Sequence, residues 1–292
     1  MDAYLQIAAI YFPLGAAGVF RWSVWGTKKI IASFYRETEI TYKTGLSIVT
    51  AVYNENPALF RKALNSWKKN KPEEIVAVID FSDSKSIEIF KKFKKKYRKA
   101  RLIVTKSPGK RPALALGISV CRFELIALTD SDTLWSRDVS AKVSAPFADP
   151  AVGGVTIRQK VLDPDNVAGK LFDIQLNERY QTDFAFLAKA GNAFSCLSGR
   201  TAIYRRKALM EIISEMTHEK FLGKKCISGE DKSLTNLAQQ RGWKTKYVMG
   251  AFVETPGAEN FKVFLRQRIR WARNTWRADL KMIIKPWVWK RE

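Results

Sequence analysis

The sequence predicts an α/β fold on a parallel sheet, and three observations carry that expectation. Between positions 46 and 129, short apolar runs rich in β-branched residues alternate with stretches whose apolar residues recur at helical spacing. Such β-α-β-α-β-α-β alternation calls for right-handed crossovers between parallel strands. The 292 residues are 46% hydrophobic, enough to bury the core of one large α/β domain or two small ones.

Taken in order, Leu46 to Tyr53 (LSIVTAVY) reads as a first strand. Pro57 to Asn70 follows as a helix, with Leu59, Phe60, Ala63, Leu64 and Trp67 at apolar spacing and Pro57 in its first turn. Glu74 to Asp80 is a second strand, Ser84 to Arg98 a helix and Ala100 to Thr105 a third strand. Pro112 to Cys121 is a helix leading into Phe123 to Thr129, an apolar run expected to be a buried strand. Beyond Asp132 the pattern changes. Val152 to Ile157 and Lys244 to Glu254 read as strands, and Arg205 to His218 and Asp231 to Arg241 as helices. A mixed helical stretch from Asn166 to Lys189 fits a membrane surface, and a strongly basic helix begins at Asn260.

Both ends carry membrane signals. Ala3 to Phe20 is uncharged for 18 residues, the short limit for a bilayer span. Arg21, Lys28, Lys29, Arg36 and Lys43 follow it, with Trp22 and Trp25 at the boundary, which favours a cytoplasmic C-terminal side. A buried or interfacial hairpin around Pro13 and Gly15 is the alternative. Trp276 to Trp289 mixes Trp, Ile and Lys as interfacial helices do. The expected organisation is a transmembrane or interfacial segment over 1–45, a catalytic domain over 46–258, and interfacial helices over 259–292.

With 51 Lys and Arg against 28 Asp and Glu, the net charge of +23 calls for polyanionic partners: nucleic acid, anionic membrane or phosphate-bearing substrates. Lys91 to Lys99 is simply a solvated helix face. Three scattered cysteines, Cys121, Cys196 and Cys226, suit neither a zinc site nor a disulfide framework. The single histidine, His218, removes Ser-His-Asp chemistry from consideration.

The chemistry gathers in three motifs. Asp130-Ser131-Asp132 closes the fourth strand, where open α/β sheets bind ligands, and two carboxylates there suit Mg²⁺ or Mn²⁺ carrying a diphosphate. A second Asp-x-Asp, Asp163-Pro164-Asp165, lies in a turn-like stretch and reads as coincidence. Glu55 and Asp80, after the first and second strands, offer acceptors for a base and ribose, and Tyr53 a stacking ring; ordinary turn roles remain open for all three. Lys110 and Arg111 place cations at a helix start, which attracts phosphate. Glu230-Asp231 opens a helix, either as dipole compensation or as a base that removes a proton from an acceptor hydroxyl. Gln267, Arg270 and Trp271 share a helix face at i, i+3 and i+4, able to meet a diphosphate and a sugar; a lipid- or nucleic-acid-facing helix is the alternative. Together the motifs point to sugar transfer from a nucleotide diphosphate.

In this order, Asp130-Ser131-Asp132, Glu230-Asp231 and Gln267-Arg268-Ile269-Arg270-Trp271 resemble the family 2 glycosyltransferases, specifically the membrane-embedded processive branch of hyaluronan, cellulose and chitin synthases. Asp132-Thr133, Val152-Gly153-Gly154-Val155, Cys196-Leu197-Ser198-Gly199, Glu254-Thr255-Pro256 and Trp276-Arg277 are similar to hyaluronan synthase in particular. The resemblance, from about Leu46 to Arg277, implies a Rossmann-like GT-A fold and a UDP-sugar donor. It implies Mg²⁺ or Mn²⁺ on Asp132 with Asp130 assisting, and uridine held by Tyr53, Glu55 and Asp80 near Lys110. Asp231, beside Glu230, would be the general base of an inverting displacement. Ser198 and Gly199 would border the acceptor, Trp271 would stack on its sugar, and Gln267 with Arg270 would contact the diphosphate.

The expected product is a growing polysaccharide containing GlcNAc, GlcA or both, made at a membrane by a cytoplasm-facing domain. Glycan acceptor and membrane lipids are the expected partners, and nucleic acid is not. The family carries several transmembrane helices after the Gln-x-x-Arg-Trp helix, whereas this sequence stops at Glu292. That departure leaves open a truncated chain, a partner or oligomer for translocation, or single-sugar transfer to a lipid or short acceptor.

Overall fold

The computed structural model describes residues 16–37, 40–191 and 194–289. Its centre is an eight-stranded sheet in the order β3-β2-β1-β4-β7-β6-β10-β5. The first four strands, β1 (Leu46–Val52), β2 (Glu74–Asp80), β3 (Ala100–Thr105) and β4 (Leu125–Thr129), are parallel, as the alternation requires. β1 lies between β2 and β4, so the strand order reverses beside β1 and opens a crevice at the carboxyl ends of β1 and β4.

The second half departs from the all-parallel expectation. β7 (Thr201–Arg205) runs antiparallel to both β4 and β6 (Val152–Leu162), while β10 (Lys244–Pro256) is parallel to β6. β7 left no trace in the pattern because it is short and its first four residues are buried, so nothing alternates along it. It also runs into the next helix with no Gly or Pro between them. Short β5 (Leu134–Trp135) closes that edge antiparallel to β10.

Local chemistry fixes the helices that frame the crevice. α1 (Ala16–Ser33) precedes the sheet, and α2 (Pro57–Lys69) is capped by Asn56, whose side chain accepts from the Ala58 and Leu59 amides. α2 buries Phe60, Ala63, Leu64 and Trp67, and the Trp67 indole donates to Thr133 O at 2.9 Å, pinning the loop after Asp132. α3 (Ser84–Lys96) carries the basic run on its exposed side. α4 (Lys110–Val120) presses on the sheet at Gly117, where a Cβ would sit 2.5 Å from Val49 Cγ1. After α5 (Val139–Ser144) comes the helical stretch expected over 166–189. It is α6 (Val167–Glu178), a π-helical turn (Arg179–Phe184) and α7 (Ala185–Ala190). α8 (Arg206–Thr217) ends at exposed His218, and α9 (Glu230–Gln240) follows a small hairpin of β8 (Lys220–Phe221) and β9 (Lys224–Lys225).

The basic helix is α10 (Phe261–Ile283), followed by a turn of helix, α11 (Pro286–Trp289). Asn260 caps α10, which packs on α6 and α9 and leaves Phe261, Leu265, Ile269, Trp276 and Leu280 exposed. α1 lies against the π-helical region. There the Trp25 indole and Lys29 bond Glu178 at 2.8 and 3.0 Å, and Lys28 bonds Asp183 at 2.9 Å. Val19, Phe20 and Ile30 are exposed on α1, and Trp22, 48% exposed, packs edge-on against Trp25 at 5.5 Å between ring centroids. Most of the expected span Ala3–Phe20 lies outside the described residues, and no described helix is long and apolar enough to cross a membrane. The three cysteines are free thiols.

Candidate active site

The crevice brings together residues from strand ends, one helix start and the C-terminal helix. At the carboxyl end of β4, Asp130 and Asp132 flank Ser131, whose hydroxyl donates to Glu55 Oε2 at 2.5 Å. Burial, with repulsion from Asp130 and Glu55, pushes the Asp132 carboxyl up to about 6, and Arg200 only partly opposes it. Three carboxylates thus converge with too little positive charge near Asp132 to hold it ionised easily. No three or more His, Cys, Asp or Glu among the described residues close into a protein-only metal cage. Two carboxylate ligands still fit Mg²⁺ or Mn²⁺, whose remaining oxygens come from phosphate and water.

Lys110 crosses the crevice. Its ammonium lies 2.6 Å from Asp130 Oδ1 and 2.6 Å from Glu230 Oε1, joining the end of β4 to the start of α9. Burial alone would lower its pKa, but Asp130 and Glu230 outweigh that and raise it, so the ammonium stays charged. Burial would likewise raise Glu230, yet Lys110 holds it below the usual carboxylate range. Glu230 is therefore a committed ion-pair partner. Arg111, read from the sequence as a second phosphate cation, turns inward instead. It is 1% exposed, ion-paired to Glu219 at 2.8 Å, and donates to Met216 O and Ser228 O.

Asp231 faces the crevice floor. Its Oδ2 accepts from the Gly199 amide at 3.2 Å and its Oδ1 from the Lys232 amide at 2.8 Å. A Cβ at Gly199 would lie 3.4 Å from Asp231 Cβ and 3.6 Å from Lys110 Nζ, in ordinary van der Waals contact with both. Ser198 is partly buried next to it and accepts from the Arg200 amide at 3.4 Å. Gly229, just before α9, has φ of 79°, and the Ser228 hydroxyl donates to Asn274 Oδ1 of α10 at 2.9 Å. Arg277 donates to Ser228 O from the same helix.

Other expected residues scatter more widely. Tyr53 is 71% exposed at the end of β1, and Asp80 accepts from the Ser82 amide and hydroxyl at 3.0 and 2.6 Å, which lowers its pKa. Gln267 is partly buried with Oε1 unbonded, whereas Arg270 is exposed. The inward face of α10 is set by Phe264 and Trp271, seven residues apart, and the residue between them on that face is Arg268. Arg270 lies on the exposed side of α10. Trp271 meets Phe172 at 5.8 Å between ring centroids, and two guanidiniums lie over it: Arg200 at 5.0 Å and Arg268 at 4.5 Å.

Arg200, Arg268 and Arg179 carried no signal in the sequence, because single arginines are commonplace in a chain with 51 basic residues. Arg200 is held by Thr255 Oγ1 at 3.1 Å and Gln159 Oε1 at 3.0 Å.

Residues 44–274 match the family described as glycosyltransferase like family 2. The chain belongs to that family. It is 29% identical over 251 residues to an N-acetylglucosaminyltransferase of Rhizobium leguminosarum bv. viciae, covering 84% of this chain and 59% of the relative. A Rhizobium meliloti N-acetylglucosaminyltransferase is 29% identical over 238 residues, covering 80% of this chain and 56% of the relative. The chain thus spans under two thirds of these curated relatives. Among solved structures, it is similar to a mannosyltransferase from Pyrobaculum calidifontis in complex with GDP-Man and Mn²⁺. That match has a TM-score of 0.69 at 20% identity, over 96% of this chain and 76% of the other. S. aureus TarS 1–349 is similar with a TM-score of 0.51 at 18% identity, over 76% of this chain and 64% of the other. These likenesses agree with the geometry on a GT-A-like α/β fold.

Proposed function

We propose that this chain transfers a sugar, with inversion, from a UDP-sugar to a glycan acceptor at a membrane surface. The observation that carries the reading is Asp231: a carboxylate at the start of α9, oriented by the Gly199 amide and next to Glu230, which Lys110 ties to Asp130 at the end of β4. Its spare lone pairs suit it to take the proton of an acceptor hydroxyl as that oxygen attacks the anomeric carbon. Glu230 does not share this task, because Lys110 engages it; together they set the position of the first turn of α9.

Asp130 and Asp132 would hold Mg²⁺ or Mn²⁺, which when bound supplies charge neutralisation for the departing diphosphate. Tyr53 and Asp80 at neighbouring strand ends would take the nucleoside. GlcNAc is the sugar of choice, supported by the N-acetylglucosaminyltransferases named above. Membrane contact is supported by the exposed Phe20, Trp22, Leu265, Ile269 and Trp276 on basic helices. Repeated addition to a polysaccharide, as in the hyaluronan synthases, is the finer form of the reading. Its rival is single addition to a lipid or short acceptor.

The test is UDP release from UDP-GlcNAc by the full chain in detergent, with and without Mn²⁺, followed by product sizing. Metal-dependent release that Asp231→Asn abolishes supports the reading. A ladder of products favours polymerisation and a single band favours one-step transfer. Absence of release from every UDP-sugar would sink it.

A further inference from the structure

Three guanidiniums meet beside the crevice with no carboxylate paired to any of them among the described residues. Arg200 lies over Phe172 at 4.9 Å and Trp271 at 5.0 Å, and Arg268 lies over the same two rings at 4.5 Å each. Arg268 Nε and Nη2 are buried with no hydrogen-bond partner. Burial, then the nearness of Arg200 and Arg179, push the Arg268 guanidinium down to about 10. Arg179 sits on the π-helical turn, over Phe184 at 5.1 Å, within electrostatic reach of Asp231.

Like charges held together with unsatisfied N–H groups are costly unless an anion completes them. Gln159 and Thr255 fix Arg200 from behind, so its fork is pre-set. Planar guanidinium forks match phosphate oxygens in pairs, and two over one pair of rings with a third in electrostatic reach offer more donors than a carboxylate can use. Arg200 and Arg268 both lie over Trp271, the ring expected to stack on the acceptor sugar, and Arg179 is within electrostatic reach of Asp231.

We propose that Arg179, Arg200 and Arg268 form a subsite for a phosphate carried by the acceptor, so that the chain glycosylates a phosphate-bearing acceptor rather than a neutral oligosaccharide. The inference rests on the glycosyl-transfer reading above and names its acceptor class. The phosphate is either that of a lipid, presented at the exposed apolar faces of α1 and α10, or that of a soluble polyol phosphate chain.

The experiment uses the full chain in detergent with UDP-GlcNAc, Mn²⁺ and three acceptors: phosphatidylglycerol, whose headgroup offers free hydroxyls beside its phosphate, in mixed micelles, a poly(glycerol phosphate) oligomer, and neutral chitotetraose. One phosphate-bearing acceptor should show a KM at least tenfold below that of chitotetraose, and which one identifies the source. Arg200→Gln should raise that KM at least tenfold while moving the donor KM less than twofold. Arg268→Gln should do the same and serves if the first variant does not fold. A donor KM that rises as much as the acceptor KM would assign the cluster to the donor diphosphate and overturn the proposal. Equal use of chitotetraose, unaffected by either variant, would overturn it as well. Binding of inorganic phosphate, followed by ³¹P line broadening, separates the two readings. If no UDP is released from any donor, phosphate broadening lost in Arg200→Gln/Arg268→Gln keeps the anion site while the transferase reading falls. Broadening that persists in that double variant removes the site.

Discussion

The two walls of the crevice follow opposite electrostatic plans. On the β1–β4 side, Glu55, Asp130 and Asp132 crowd negative charge; on the β7–α10 side, Arg179, Arg200 and Arg268 crowd positive charge. The walls do not neutralise each other by direct ion pairs among the described residues. The cation that does cross, Lys110, is satisfied at both ends. The difference separates two kinds of charge: the pairs Lys110–Glu230 and Arg111–Glu219 hold the fold, whereas Asp132, Arg200 and Arg268 make no ion pair among the described residues and are left for ligands of opposite sign.

That comparison can be broken at several points. The largest effect is expected at Asp231, where Asp231→Asn should lower UDP-GlcNAc turnover at least about 10³-fold while UDP binding, read by calorimetry, persists. Lys110→Met should destabilise the metal-free protein by about 2–3 kcal/mol in urea, since it strands Glu230 and Asp130 without their partner. A neutral result would mean that Lys110 is not structural.

The carboxylate wall predicts the opposite sign. The native pKa of Asp132, about 6 against an ordinary 3.8, means that the folded chain keeps a proton that the unfolded chain loses. Stability of the metal-free protein should therefore fall as pH rises from about 4 to about 6 and stay lower above it. Asp132→Asn should remove that slope and stabilise the metal-free protein at pH 7.5 by roughly 1–2 kcal/mol, the full shift being discounted for partial exposure. A steeper slope in the variant would contradict the burial of that charge.

On the guanidinium wall, Arg268→Met should stabilise the free protein by about 1 kcal/mol, because an unpaired buried cation is exchanged for a side chain of similar length. Arg270→Met, on the exposed side of α10, should change stability by less than about 0.5 kcal/mol. Reversal of these two would place the wrong arginine inside.

Legibility in the sequence follows the same division. The first wall stands on regular β-α alternation, so Asp130, Asp132 and Glu55 are legible as carboxylates at strand ends. Glu230-Asp231 was legible as a motif, but its split into an ion-pair partner and a free carboxylate depends on Lys110, 120 positions earlier. The second wall is assembled from a π-helical turn, the loop before β7 and a C-terminal helix. No local pattern joins those three places. Arg268 and Arg270 are equivalent in a string of basic residues, and only the burial of Phe264 and Trp271 decides which turns inward. β7, five residues of which the first four are buried without alternation, is unreadable for a similar reason: its partners lie far away in the chain.

The junction at Ser228-Gly229 has a mechanical consequence. α10 grips Ser228 through Asn274 and Arg277, one step ahead of the carboxylate pair, and a Cβ at 229 would meet Arg277 Nη2 at 3.0 Å in a backbone region that disfavours side chains. Asp231 stands three positions beyond that grip, so the placement of α10 and the placement of Asp231 are fixed through one short tether.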